Sequence, residues 1–320
     1  MNQQYRLLGR TSLSVSPIVF GGNVFGWTLN PSDSFAILDQ FIDLGFNSID
    51  TSNNYSHWVE GNQGGESEII LGDWFKSRKN RSQVILMTKV GGRFGYHSKP
   101  NTQGTYILQE VENSLRRLQT DYIDLYQTHY DDLVTAPEDT LRAYQQLIGE
   151  GKIRYIGVSN ISPERLTESM EVARELDLPA YGSLQPEYNL YDRKTYEQEY
   201  RDLVERYQMG VVPYYALASG FLSGKYQSEH DFAASARGEG IQKRYWNARG
   251  KQIVTALTRT AKELNCSAAS LALAWLMAQP DITAPIASAT KPAHLEDFLS
   301  ACNLKLENTT LKKLNQASVY

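Results

Sequence analysis

The stretch FNSIDTSNNYSHW, residues 46–58, is an apolar run that ends at Asp50 and is followed five residues later by Tyr55. A loop needs neither a carboxylate nor a phenol merely to turn, so the pair marks the start of a site. The pattern recurs twice. VILMTKV (84–90) is an apolar run closing on Lys89, and YIDLYQTHY (122–130) is another closing on His129. Each is a short β-rich run with an ionisable residue at its C-terminal end. As parallel neighbours, these strands bring Asp50, Tyr55, Lys89 and His129 to one rim.

Outward from that stretch, the alternation of strand and helix persists. YRLLGRTSLSVSPIVFGG opens the chain as a short hairpin followed by a buried strand at about 18–22. Ser32 precedes a helical pattern of Phe35, Leu38, Phe41, Ile42 and Leu44, ended by Gly45. Helices are predicted over about 66–79 and 104–119, after Pro137, from about Pro163 and from about Thr195. Strands YIGVSN (155–160), GSLQPEYN and GVVPYYAL (210–217) alternate with them. A long polar segment, Gln227 to Gly250, precedes helices at about 252–264 and 267–278, a strand ITAPIASA, and two closing helices.

Eight parallel strands separated by helices predict an α/β fold, a (β/α)8 barrel of the TIM type with an N-terminal β-hairpin, in which residues 1–320 form a single domain. A doubly wound sheet is the competing architecture. One built to hold a dinucleotide usually carries GxGxxG after its first strand, and none is present. The glycines at 61–65 fit neither that motif nor a phosphate-binding GKS/T loop, and read as a flexible loop.

Composition sets the surroundings. At 320 residues, net charge -4 and pI near 5.8, the chain has no basic bias toward nucleic acid or an anionic membrane. The first ten residues lack an apolar signal core, and no window holds the roughly 18 apolar residues of a membrane helix. Cys266 and Cys302 have no metal-ligand spacing and read as free thiols, which favours the cytoplasm.

FNSIDTSNNY, MTKV, DLYQTHY, GKIRYIGVSN, LQPEYNL and YYALASGFLSGKY, in this order and at these separations, resemble the aldo-keto reductase family. The resemblance spans the chain from the hairpin to the helix after Lys291, and is similar to the family's branch that includes potassium-channel β-subunits. It implies a barrel that binds NADPH without a Rossmann domain and reduces carbonyls to alcohols. It further implies that Asp50, Tyr55, Lys89 and His129 form the catalytic tetrad. The residue types suit that chemistry. Hydride reaching a carbonyl carbon leaves a developing alkoxide, which needs an adjacent proton donor. Tyr55 is the expected acid, Lys89 lowers its pKa, Asp50 holds Lys89, and His129 donates to or orients the carbonyl oxygen. No metal is required.

The resemblance also implies the cofactor contacts. Ser159, Asn160 and Gln185 are expected at the nicotinamide carboxamide, although Ser159 or Asn160 would also serve as an ordinary helix cap. Tyr214 is expected to stack on the nicotinamide, with Tyr215 pointing the other way along a strand. ALASGFLSGKY, with Leu217, Gly220 and Lys225, matches the pyrophosphate segment, and Gln227 to Gly250 matches a loop that folds over the cofactor. Ser288, Thr290 and Lys291 match the 2′-phosphate site, favouring NADPH while leaving NADH possible. His294 stands where glutamine is frequent, and Phe298 where an adenine-contacting asparagine is usual.

Trp27 and Trp58 follow the first two barrel strands and are expected to wall a pocket for small carbonyl substrates, or to pack at its rim. Two other classes remain open at this level. One is a cofactor-binding regulatory protein with slow turnover. The other is a barrel lyase or isomerase using Lys89 covalently.

Overall fold

The computed structural model describes residues 4–93, 99–233 and 235–320. A two-stranded antiparallel hairpin, β1 (Arg6–Leu7) and β2 (Ser14–Val15), precedes the barrel strands. These are β3 (Val19–Gly21), β4 (Ser48–Asp50), β5 (Ile85–Val90), β6 (Ile123–Thr128), β7 (Ile153–Ser159), β8 (Ser183–Gln185), β9 (Gly210–Val211) and β10 (Ile286–Ala287). All eight are parallel, in the order β10-β3-β4-β5-β6-β7-β8-β9. The ring closes between its ends: Thr283 N donates to Val211 O at 2.9 Å, and Ile286 N to Pro213 O at 2.9 Å. The fold is the expected (β/α)8 barrel.

Helices α1 (Pro31–Asp43), α2 (Glu66–Arg78), α3 (Gly104–Leu118), α4 (Pro137–Gly149) and α5 (Pro163–Glu175) follow successive strands. After β8, a π-helical turn (Tyr196–Tyr200) runs into α6 (Arg201–Tyr207). Then come α7 (Gly238–Tyr245), α8 (Ala248–Glu263), α9 (Ala268–Met277), α10 (Pro292–Asn303) and α11 (Asn308–Ala317). Three expectations need correction. Helix α1 starts at Pro31, because the Asn30 side chain accepts from Asp33 N and Pro31 suits the first helical position. The run 210–217 is strand only to Val211. The polar stretch after Gln227 holds a 3-10 turn (Glu229–Phe232) and α7, so it is not simply loop.

Strand alternation separates two cores. Leu86 and Val90 of β5 and Tyr126 of β6 face the helices, whereas Met87 and Leu125 face the barrel axis with Leu8, Leu13, Val15, Val19 and Val212. The hairpin thus plugs the bottom of the barrel. Gly9, at φ 54, lets it approach, since a Cβ there would collide with the Gly210 amide. Continuing by twos along β5 and β6, the next axial positions are Lys89 and Gln127. The interior changes from apolar to polar at the C-terminal rim.

Candidate active site

Asp50 ends β4, Lys89 lies one residue from the end of β5, and His129 directly follows β6. Lys89 is fully buried and donates three bonds: to Asp50 Oδ2 at 2.6 Å, Thr51 O at 2.8 Å and Tyr55 Oη at 2.8 Å. An ammonium has three protons, and each is used. Tyr55 Oη also lies 3.4 Å from Asp50 Oδ2. His129 stands across from the phenol, with ring centroids 6.0 Å apart. The four rim residues therefore converge as the strand pattern required.

Sequence reasoning missed Gln127. Its Nε2 donates to Asp50 Oδ1 at 3.2 Å, beside the Gln185 Nε2 bond to the same oxygen at 3.0 Å. Gln185, expected at the cofactor, thus also supports Asp50. The available signal was Gln127's place two residues before His129, on the inward face of the same strand.

Burial governs the charges. It pushes the Tyr55 phenol well above its ordinary value, and the Asp50 carboxylate adds to the effect. The expected lowering by Lys89 does not prevail, and Tyr55 keeps its proton at neutral pH. Burial draws Lys89 down, opposed by Asp50. Burial, then the Lys89 charge and His57, hold His129 well below the usual histidine range, so its imidazole is neutral.

These residues open on a cavity of about 560 Å³ whose lining runs from Trp58 and Tyr55 past Ser159, Asn160, Gln185 and Tyr214 to Phe298. Ser159 Oγ donates to Gln185 O at 2.8 Å, and Asn160 Nδ2 to His129 O at 2.8 Å. Neither caps the next helix, a task taken by Ser162, whose side chain accepts from Arg165 N. Tyr214 Oη donates to Asn160 Oδ1 at 3.1 Å. Tyr215 corrects the expected alternation: at φ 56 it lies in a turn, and it lines the cavity together with Tyr214.

Farther along, Leu217, Gly220 and Lys225 line the cavity, with Gly220 at φ 100 in a turn where glycine is favoured. Ser288 lines it too, and its hydroxyl lies 2.7 Å from Gly21 O and 2.8 Å from Asn23 Oδ1. Thr290 N donates to His294 Nδ1 at 3.2 Å, and both residues are in the lining. Lys291 stands exposed beside them as the residue capping α10. Phe298 is buried edge-on against Phe46.

Trp58 lines the cavity and meets Trp27 edge-on at 5.5 Å, while Trp27 backs it from outside the lining. Over Trp27, at 4.7 Å from the ring, sits the guanidinium of Arg237, just before α7. Arg237 lines the cavity, and its Nη2 is buried without a hydrogen-bond partner among the described residues. Its position in a polar stretch carried no sequence signal; only its tertiary placement over Trp27 brings it to the cavity.

Comparison with known proteins bears on this geometry. The model of the aldo/keto reductase family matches residues 17–319. A rice protein named "Probable voltage-gated potassium channel subunit beta" (Oryza sativa subsp. japonica) is 33% identical, over 94% of this chain and 92% of its own. "Uncharacterized oxidoreductase YrpG" of Bacillus subtilis is 32% identical over 98% and 95% of the two chains. "Aldo-keto reductase YhdN" of the same organism is 30% identical over 98% and 92%.

Proposed function

We propose, since the chain belongs to the aldo/keto reductase family and is an oxidoreductase, that it reduces aldehydes or ketones to alcohols with NADPH, by direct hydride transfer with Tyr55 as general acid. The carrying observation is the ammonium of Lys89, buried and bonded at once to Asp50 and the Tyr55 phenol.

The cavity fits a nicotinamide nucleotide. Its size lies within the range of cofactor pockets. Its polar groups Ser159, Asn160 and Gln185 suit a carboxamide, and Tyr214 offers a ring for stacking. Lys225 and Arg237 would hold the pyrophosphate, with Lys291 and Thr290 serving the 2′-phosphate. Bound there, the reduced nicotinamide supplies the hydride.

The remaining work belongs to the protein. Tyr55 is a protonated phenol that gives up its proton only as charge develops on the substrate oxygen. The phenolate so formed is stabilised by Lys89 at 2.8 Å. Asp50, fixed by Gln127 and Gln185, keeps the lysine oriented. Trp58, with Trp27 behind it, excludes water from one side. No helix among the described residues is long and apolar enough to cross a membrane, and the free thiols Cys266 and Cys302 fit a cytoplasmic enzyme.

The test is NADPH and NADH consumption with a panel of aromatic and aliphatic carbonyls, for wild type and Tyr55→Phe. Turnover that prefers NADPH and is lost in the variant is expected. Tight nucleotide binding with no turnover of any carbonyl would replace this reading with a regulatory one, and absence of nucleotide binding would overturn it.

A further inference from the structure

Behind Lys89, on the helix side of the sheet, lies a carboxylate outside the proton path from Tyr55. Glu68, in the first turn of α2, is fully buried. Its Oε1 accepts from Thr88 Oγ1 at 2.6 Å, and its Oε2 from Arg117 Nε at 2.7 Å. Thr88 precedes Lys89 on β5, so the two side chains leave opposite faces of one strand, Thr88 toward the helices with Leu86 and Val90, and Lys89 toward the axis. The neighbouring residue of α2 reaches the other side of the ammonium. Ser67 Oγ donates to Gly22 O at 2.8 Å, which leaves it lone pairs for the hydroxyl of Thr51 at 2.7 Å. Thr51 in turn offers its carbonyl to Lys89 Nζ. Two successive residues of one helical turn therefore hold both the strand that carries the lysine and the loop that supplies one of its three acceptors.

Arg117 is shared. Its Nη2 donates to Glu110 Oε1 at 2.8 Å, so two carboxylates divide one guanidinium and the cluster keeps one negative charge in excess. The groups that face Lys89 are Asp50 from β4, Tyr55 from the loop after it, His129 from the end of β6 and, through the sheet, Glu68 from α2. Of these, Asp50 and Glu68 carry the charge, because Tyr55 and His129 are neutral. We propose that Glu68 is a positioning residue for Lys89: it fixes the strand and the loop around the ammonium, and its charge keeps that ammonium protonated as pH rises. The proposal rests on the reductase reading above, in which only a charged lysine stabilises the Tyr55 phenolate. Burial draws Lys89 down, and Asp50 and then Glu68 oppose it.

The sign of the charge separates this role from a merely structural one. Glu68→Gln keeps an acceptor for Thr88 and removes the charge, whereas Arg117→Met keeps both carboxylates and removes their counter-charge. Two unit charges on opposite faces of one strand, at an effective dielectric of about 20, couple by about one pH unit. Glu68→Gln should therefore lower the titration midpoint of Lys89 by about one unit, and Arg117→Met should raise it by a similar amount. The midpoint is read on the full chain from the 13Cε NMR shift of labelled lysine, with Lys89 assigned by its loss in Lys89→Met. The alkaline limb of kcat/KM for carbonyl reduction with NADPH should move with it. Both variants lose stability on either account, so melting temperatures do not decide. Shifts in the same direction, or none, overturn the proposal. A midpoint that follows the charge while the alkaline limb stays fixed overturns the link to the reaction. A midpoint that follows the charge in a protein that turns over no carbonyl supports the placement of Glu68 while overturning the reductase reading. Should either variant not fold, Glu110→Gln decides: neutralising the outer carboxylate should lower the midpoint by about half a unit, and an unmoved midpoint overturns the proposal.

Discussion

Replacing Lys89 with Met separates what this lysine does for the fold from what it does for the chemistry. The substitution removes three donated bonds and leaves Asp50, 1% exposed, without its counter-charge. Breaking a buried ion pair from one side costs about 3–5 kcal/mol. The two amide bonds that Asp50 keeps, from Gln127 and Gln185, place the expected loss near the lower end, about 3 kcal/mol. At about 2.1 cal/mol/K of unfolding entropy per residue, a chain of 320 residues should then melt about 4 °C lower. Carbonyl reduction should fall about a thousandfold in kcat, the upper end for loss of one donor that stabilises developing charge. Adding Asp50→Asn removes the stranded charge, so the double variant should regain stability to within about 1 kcal/mol of wild type while remaining inactive. Thermal melts of wild type, Lys89→Met, Asp50→Asn and the double variant, with NADPH oxidation assays, make the comparison. Stability losses that simply add, or a Lys89→Met enzyme with wild-type kcat, would refute the reasoning.

Arg237→Met should raise the melting temperature of the nucleotide-free protein, because a half-buried arginine, with Nη2 unbonded and without an ion-pair partner among the described residues, is replaced by an apolar chain of similar length. The same variant should weaken NADPH binding about 10- to 100-fold in titration calorimetry, the worth of a charge-assisted bond; unchanged affinity would remove Arg237 from the pyrophosphate site. For His129, burial depresses the folded pKa, so the unfolded chain takes up the proton first. Its contribution to stability is complete well above the unfolded value of about 6.5 and is lost as pH falls below it, by up to about 1.4 kcal/mol per unit, until the folded pKa is reached. His129→Gln should therefore flatten the pH dependence of urea unfolding between pH 7 and 5, and an unaltered slope would contradict a buried neutral imidazole. At Gly72 on α2, a Cβ would collide with the backbone carbonyl of Arg117 at the end of α3. Gly72→Ala should cost about 1–3 kcal/mol or more, read as a lower urea midpoint with kcat retained.

Much of this arrangement was legible because a strand writes its geometry into a period of two. Met87 and Lys89, or Leu125, Gln127 and His129, are one inward file each, apolar at the plugged bottom and ionisable at the rim. The same logic failed at GVVPYYAL. Pro213 and the turn closed by Ala218 N donating to Tyr215 O end the strand early, so Tyr214 and Tyr215 share the cavity instead of alternating. Ser32 attracted the helix start by its residue type, but Asn30 with Pro31 behind it satisfied the free amides two residues earlier.

The sequence by itself determined the alternation of strands and helices and the four ionisable residues at strand ends, since these follow from local periodicity and from where ionisable groups interrupt apolar runs, while the choice of a barrel over a doubly wound sheet came from the family resemblance. Only the tertiary structure decided how those groups are charged and who supports them. The raised Tyr55 pKa, the two glutamines on Asp50, the Glu68–Arg117 pair behind Lys89 and the Arg237 guanidinium over Trp27 depend on burial and on contacts between residues distant along the chain. Desolvation and hydrogen-bond direction are properties of the packed site, and no spacing in the sequence encodes them.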